Sequence, residues 1–356
     1  MRKGITRRAF LKKAGTGAAL AGLTLIGGMS ARAEEPTERE RHQLLMQGTV
    51  NFKGFKVKEI TPNDEFYITS YSDRVPEIDP KAFRLRVGGK VEKPYELSLT
   101  EIALRRDKKE FVTLECIGNP IGGDAIGNAL WEGVTLKKIL GSAVPEKGIV
   151  KVAFHAEDGY SDSIPYELAL SEDVFLAYRM NGEPLPKQHG YPVRVIVPGI
   201  YGMKNVKWIS RIELVDRDFK GYWEKRGWSD EAVIPVKSQI LMPMAGREIP
   251  MEEYVVGGVA FAGRHGISRV QVSTDGQRTW RDAEAKEPLS KWSWVVWRYG
   301  WSPLQEGKYT LTVRAFDKAG RIQETPSLFG RVLGTFPDGA KGLHSVTVEV
   351  KRRRGA

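Results

Sequence analysis

The chain has 356 residues and one cysteine, Cys116. A single thiol excludes an internal disulfide. Without a Cys-x-x-Cys-His run the chain attaches no c-type haem of its own. Histidine is also scarce, five in all. His42, His155, His265 and His344 share no ligand spacing, which argues against a domain gripping haem between paired histidines. No apolar run reaches the roughly 20 residues a membrane span needs. There are no heptads, helical repeats or low-complexity tracts. Residues 158–162 lack the spacing and terminal glutamate of a calcium loop. The formal net charge is +11, but seven Lys and Arg precede Ala33 with no acid among them. The basic tail Lys351-Arg352-Arg353-Arg354 accounts for the rest, so the body is close to neutral and charge gives no case for nucleic acid.

What is present begins with a leader. Residues 1–13 are basic and contain Thr6-Arg7-Arg8-Ala9-Phe10-Leu11-Lys12; residues 14–29 are uncharged and moderately apolar; Ala31-Arg32-Ala33 has the form of a cleavage site. This reads as a secretory signal of the twin-arginine (Tat) type, which places the protein in the periplasm or otherwise outside the cytoplasm. The length suggests about two domains. The division expected is a signal at 1–33, a leader at 34–60 (mobile or briefly helical to about 47), a catalytic domain at 61–235 and a β-sandwich at 236–351. In the first domain Ser98-Leu99-Thr100-Glu101 is a helix start, and residues 134–140 and 164–170 read as short helices. Residues 85–91 read as a hairpin start, and residues 150–154 and 193–197 as strands. Residues 218–235 look like a connector. After 236, short alternating strands separated by turns such as Thr274-Asp275-Gly276-Gln277 predict an immunoglobulin-like sandwich. Residues 290–298 read as one of its strands, which would split Trp292, Trp294 and Trp301 between two faces.

Two stretches can carry chemistry. In Phe111-Val112-Thr113-Leu114-Glu115-Cys116-Ile117-Gly118-Asn119-Pro120 a β-prone run delivers one thiol to a Gly-Asn-Pro turn. Such a thiolate is a soft metal ligand or a nucleophile; the alternative is a small buried hydrophobe. In residues 188–208 a histidine and an arginine flank a strand, followed by a Pro- and Gly-bounded loop with Lys204 and Lys207. Basic side chains with loop amides suit a phosphate-bearing ligand; the alternative is a solvated basic face.

These stretches resemble the sulfite-oxidase family of molybdopterin enzymes. Cys116 sits in a Cys-x-Gly-Asn motif as the family's molybdenum-ligating cysteine does. Trp131-Glu132-Gly133-Val134-Thr135-Leu136, the run from Ser163-Ile164-Pro165 to His189-Gly190-Tyr191-Pro192-Val193-Arg194, and Val206-Lys207-Trp208 follow in family order. The resemblance implies an α+β chain: a mixed α/β molybdopterin domain followed by an all-β immunoglobulin-like module that often dimerises. It implies a molybdenum–molybdopterin cofactor, with Cys116 on the metal. Tyr67, Ile68, Asp158, His189, Arg194, Asn205, Val206 and Lys207 would then hold the pterin and its phosphate. Where the family places substrate arginines, this chain has Thr69-Ser70-Tyr71 and Pro120-Ile121; Trp228 stands where a tyrosine touches the metal site. Sulfite is therefore expected to be a poor substrate, its place taken by a neutral or organic compound or by an oxyanion of different geometry. The reaction implied is oxygen-atom transfer, with electrons exchanged with a c-type cytochrome or a membrane quinone-linked subunit. A sulfoxide or N-oxide reductase on the same scaffold is the alternative within enzymes. An exported, non-catalytic binding protein is the alternative outside them.

Overall fold

A computed structural model describes residues 48–325 and 334–352. The signal expected at 1–33 and the leader's first part, to residue 47, lie outside the described residues. From Thr49 the expected leader is ordered: Thr49–Phe52 and Phe55–Lys58 pair as an antiparallel hairpin. Phe55 is buried, and its ring occupies the space that a Cβ on Gly257 would take.

Two five-stranded sheets build the first half. One runs Glu183–Pro184, Phe175–Met180, Ile126–Thr135, Lys108–Glu115, with Arg194–Ile196 also pairing Phe175–Met180. The other runs Tyr95–Leu97, Leu85–Gly89, Ile209–Val215, Lys151–Ala156, Ser161–Pro165, with Ile209–Val215 parallel to Leu85–Gly89. Short helices cover them. Leu99–Leu104 starts on a full capping box, the Ser98 hydroxyl accepting from the Glu101 N–H while the Glu101 carboxylate accepts from the Ser98 N–H. Leu136–Ser142 buries Leu136, Ile139 and Leu140, the apolar stripe its spacing predicts. Tyr166–Ala169 follows Pro165, which caps the helix rather than entering its first turn.

The second half is a sandwich. One sheet runs Lys237–Met242, Tyr254–Phe261, Val295–Trp301, Glu284–Ala285; the facing sheet runs Glu248–Pro250, Ser345–Lys351, Gly307–Asp317, Ile267–Ser273, Arg281–Asp282. Val256, Val270, Trp297, Val313 and Val348 meet between them. Their alternation with polar residues is what the period-2 pattern demands.

One expectation fails here. The strand read over 290–298 begins only at Val295; residues 290–294 form a turn. Trp292 and Trp294 therefore share no strand face; of the three tryptophans only Trp301 lies on the strand. The turn docks on the edge strand Lys108–Glu115: Thr113 N–H donates to Trp292 O (3.0 Å), Trp294 N–H to Thr113 Oγ1 (2.8 Å) and Trp294 Nε1 to Glu59 O (3.0 Å). Pairing that open edge outweighs continuing the sandwich strand. Trp294→Ala should lower stability by about 3–5 kcal/mol, the usual cost of emptying a buried aromatic site. A denaturant midpoint within error of the parent would refute this.

Candidate functional site

The strand Lys108–Glu115 stops where its chain must turn, and Cys116 is the next residue. The turn is pinned from both sides. Cys116 N–H donates to Ala125 O (2.9 Å), and Cys116 O accepts from Asn119 N–H (2.9 Å). The buried Asn119 side chain accepts from Ala125 N–H (3.1 Å) and donates to Glu115 Oε1 (2.9 Å). Glu115 Oε1 also accepts from Lys237 Nζ (2.7 Å), the first residue of the sandwich. Burial would lower the Lys237 ammonium, but Glu115 and Tyr201 together outweigh it and hold it up at about 12. Cys116 is half-buried and lines a cavity of about 350 Å³. It is not the sealed core hydrophobe of the alternative reading. Gly118 lies beside the sulfur; a Cβ there would stand at ordinary contact distance, 3.7 Å from Sγ.

The basic stretch closes the same cavity. Arg194 is fully buried; its Nη1 donates to His189 O (3.1 Å) and its Nη2 to Asn205 O (2.9 Å). Its Nε has no hydrogen-bond partner among the described residues. Burial lowers the guanidinium to about 10, still a cation at neutral pH. Lys207 donates to Ser70 Oγ (2.7 Å) and Gln188 O (3.1 Å). Neither cation makes an ion pair among the described residues. Gly190, at φ +108°, lets the loop pass; a Cβ there would press on the Lys207 Cα at 3.1 Å. His189 is lowered to about 4 by burial, so the ring is neutral. Its Nε2 donates to Asn63 O (2.8 Å), which leaves Nδ1 as an acceptor. Two basic groups without a counter-ion among the described residues, one with a spare N–H, share a cavity with a thiol; the set fits an anionic ligand that also carries a metal.

The remaining wall is aromatic. Tyr67 is half-buried, stacks on Phe66 at 5.3 Å, and desolvation raises its phenol far above the usual range. Gly202 approaches its hydroxyl so closely that a Cβ would stand at 2.8 Å. Tyr71, Tyr160, Trp223 and Trp228 line it as well. Trp223 and Trp228 meet edge to face at 6.2 Å, and Trp228 meets Phe336 the same way at 5.2 Å.

Burial lowers Lys207 to about 7 from 10.5, Arg194 adding to the effect and Asp158 opposing it. The sign follows. The folded chain holds this proton less tightly than the unfolded one, so the ligand-free protein gains stability as pH rises from about 7 toward 10.5. An anion placed beside Lys207 restores the charge and must take up a proton. A phosphate-bearing ligand should therefore bind more weakly above about pH 7. Calorimetry in buffers of different ionisation enthalpy should detect the uptake, and Lys207→Arg should abolish it.

The fold brings Cys116, Trp228, Tyr67, Asp158, His189, Arg194, Asn205, Val206 and Lys207 to one cavity. It does not bring Ile68, whose residue is 51% exposed and outside the lining. The Asn205 side chain is spent on the loop itself, donating to Ile200 O and Tyr201 O and accepting from Val197 N–H. Pro120 and Ile121 do not line this cavity. Ser70, Tyr71, Tyr160, Met203 and Trp223 line it without having been singled out as site residues. No spacing announces them, since they come from separate segments; only the aromatic texture of residues 218–235 hinted at Trp223.

Residues 72–223 match the model for the oxidoreductase molybdopterin-binding domain, and residues 230–338 match that of the Mo-co oxidoreductase dimerisation domain. The chain is 34% identical to the sulfite oxidase of Gallus gallus, over 74% of this chain and 68% of that one. It is 30% identical to the mitochondrial sulfite oxidase of Rattus norvegicus, over 74% of this chain and 57% of that one. In fold it is similar to the sulfane dehydrogenase SoxCD of Paracoccus pantotrophus, with a TM-score of 0.69 at 21% identity, covering 92% of this chain and 96% of that one. The chain belongs to the sulfite-oxidase family of molybdopterin-dependent oxidoreductases, with molybdenum–molybdopterin as its cofactor.

Proposed function

We propose that this enzyme transfers an oxygen atom to or from a small, uncharged sulfur or nitrogen compound, and that sulfite is a poor substrate. The observation that carries the proposal is the wall around Cys116: Thr69, Ser70, Tyr71, Trp223 and Trp228 line it. Thr69-Ser70-Tyr71 and Trp228 are the residues found where the family's substrate arginine and tyrosine are expected. A dianion would meet a wall rich in aromatic rings in which Arg194, assigned to the cofactor, is the one arginine. Each missing charge-assisted bond is worth about 1.5–3 kcal/mol, roughly tenfold to a hundredfold in affinity.

The cavity fits the cofactor. The counter-ion-free pair Arg194 and Lys207 suits the pterin phosphate, neutral His189 offers an acceptor, and the Cys116 sulfur is the soft ligand molybdenum takes. When bound, the metal centre supplies the two-electron oxygen-atom transfer. The chain binds and orients that centre, and Trp223 and Trp228 restrict water at its mouth. Electrons pass to a separate carrier, a c-type cytochrome or a quinone-linked subunit. The second domain joins two copies into a homodimer. The chain is exported by the Tat route, as Arg7-Arg8 and Ala31-Arg32-Ala33 suggest.

A substrate panel on molybdenum-loaded protein tests this, with sulfite beside neutral sulfoxides and N-oxides under both electron-donating and electron-accepting dyes. A neutral compound should exceed sulfite in kcat/KM by tenfold or more. Sulfite turnover above every neutral compound would overturn the proposal.

A further inference from the structure

Behind the aromatic wall lies a cluster of buried charge that cofactor binding does not use. Lys204, on the turn Gly202–Lys204, is 1% exposed. Its Nζ meets Asp162 Oδ1 (2.8 Å), Glu224 Oε1 (2.6 Å) and Asp230 Oδ1 (3.2 Å). Asp162 and the Glu224 side chain are as buried as the lysine. Asp230 is half-exposed and has its own cations, Lys151 and Lys220, each at 2.7 Å. Among the described residues Lys204 is thus the single cation in contact with the two sealed carboxylates. Neutrality inside calls for one proton more.

The hydrogen bonds show where that proton fits. The Tyr160 hydroxyl lies 2.8 Å from Asp162 Oδ2 and 3.0 Å from Met203 O. A hydroxyl has one proton, and a carbonyl can only accept. Both contacts are full hydrogen bonds when Asp162 is protonated: its carboxyl donates to the Tyr160 oxygen, and the Tyr160 hydroxyl donates to Met203 O. With Asp162 ionised, the hydroxyl turns to the carboxylate and Met203 O loses it. Met203 directly precedes Lys204, Asn205, Val206 and Lys207.

The geometry points to Asp162 as a proton-holding positioning residue: protonated, it lets Tyr160 grip Met203 and so fixes the loop that carries Asn205, Val206 and Lys207 to the cavity. The groups facing it agree in sign. Burial raises the Asp162 carboxyl, Glu224 adds to the rise, and Lys204 opposes it. Burial also raises Tyr160, with Asp162, Glu224 and Asp158 adding to it, so the phenol stays neutral. The inference deepens the cofactor-site reading and rests on it for its meaning. Its test does not require cofactor.

The experiment uses the full chain without cofactor. Infrared difference spectra between about pH 6, where ordinary carboxyls are already ionised, and alkaline pH should show a protonated-carboxyl stretch lost on raising pH, absent in Asp162→Asn. Over the same range, amide protection at Lys204 and Asn205, corrected for intrinsic exchange, should fall about tenfold in the parent. It should stay within twofold in Asp162→Asn, whose amide can donate to Tyr160 permanently. Tyr160→Phe should keep the infrared band and lose the pH dependence of protection. A parent lacking the band, or a band untouched by Asp162→Asn, overturns the inference. So does protection in the parent that ignores pH. If Asp162→Asn fails to fold, the parent and Tyr160→Phe still decide the matter.

Discussion

Cys116→Ser should reduce turnover at least a thousandfold and abolish the sulfur-to-molybdenum absorption, while the pterin is still retained. A thousandfold is about 4 kcal/mol of barrier. The retention follows from geometry: Arg194 and Lys207 sit on the basic loop, away from the Cys116 turn. A hydroxyl is a harder and far less acidic ligand than a thiol, and molybdenum in this family takes the soft one. The turn should survive the substitution, because its pins are backbone and Asn119 bonds that do not involve the sulfur. Activity within tenfold of the parent and an unchanged spectrum would refute the assignment of the metal ligand. Loss of pterin together with activity would refute the assignment of the basic loop.

Lys204→Met should destabilise the fold by about 3–5 kcal/mol, the cost of stranding buried charge. Asp230 would keep Lys151 and Lys220, but Asp162 and Glu224 would have no cation in contact. Glu224 already has one carboxylate oxygen, Oε2, with no partner among the described residues. The pH dependence has a definite sign. Burial alone lowers Lys204, yet Asp162 and Glu224 hold it above its ordinary value. Its contribution is complete below the unfolded lysine value of 10.5 and is lost as pH climbs through the higher folded value. Burial already raises the Asp162 carboxyl and Lys204 opposes that rise, so the variant holds the proton on Asp162 still more tightly and its ionised form costs more. The deficit against the parent should be largest near neutral pH and shrink as the solution is acidified. Thermal melts at several pH values would measure it; a deficit that grows in acid would contradict the account.

The two stretches that carry the chemistry were legible in order of residues. A β-prone run ending on the lone cysteine, and a histidine, arginine and lysines around a Pro- and Gly-bounded loop, state their chemistry locally. The same holds for the capping box at Ser98 and Glu101 and for the turns of the sandwich. Local propensity and period-2 patterning are properties of neighbouring residues.

Lys204 and Lys207 show where that legibility stops. Three residues apart on one loop, they read alike as basic groups for a ligand. The fold sends Lys207 to the cavity and seals Lys204 against carboxylates from Ser161–Pro165, from Glu224–Arg226 and from Asp230. Trp292 and Trp294 likewise follow a strand pattern, but an unpaired edge far back in the chain claims them. The sequence by itself determined the family, the thiol and the cationic loop, because each depends on residue types at short spacing. Only the tertiary structure decided which lysine faces the ligand and which aromatic rings wall the cavity, and where a buried proton fits. Those depend on charges and edges supplied by segments distant in the chain, and no short-range pattern encodes their meeting.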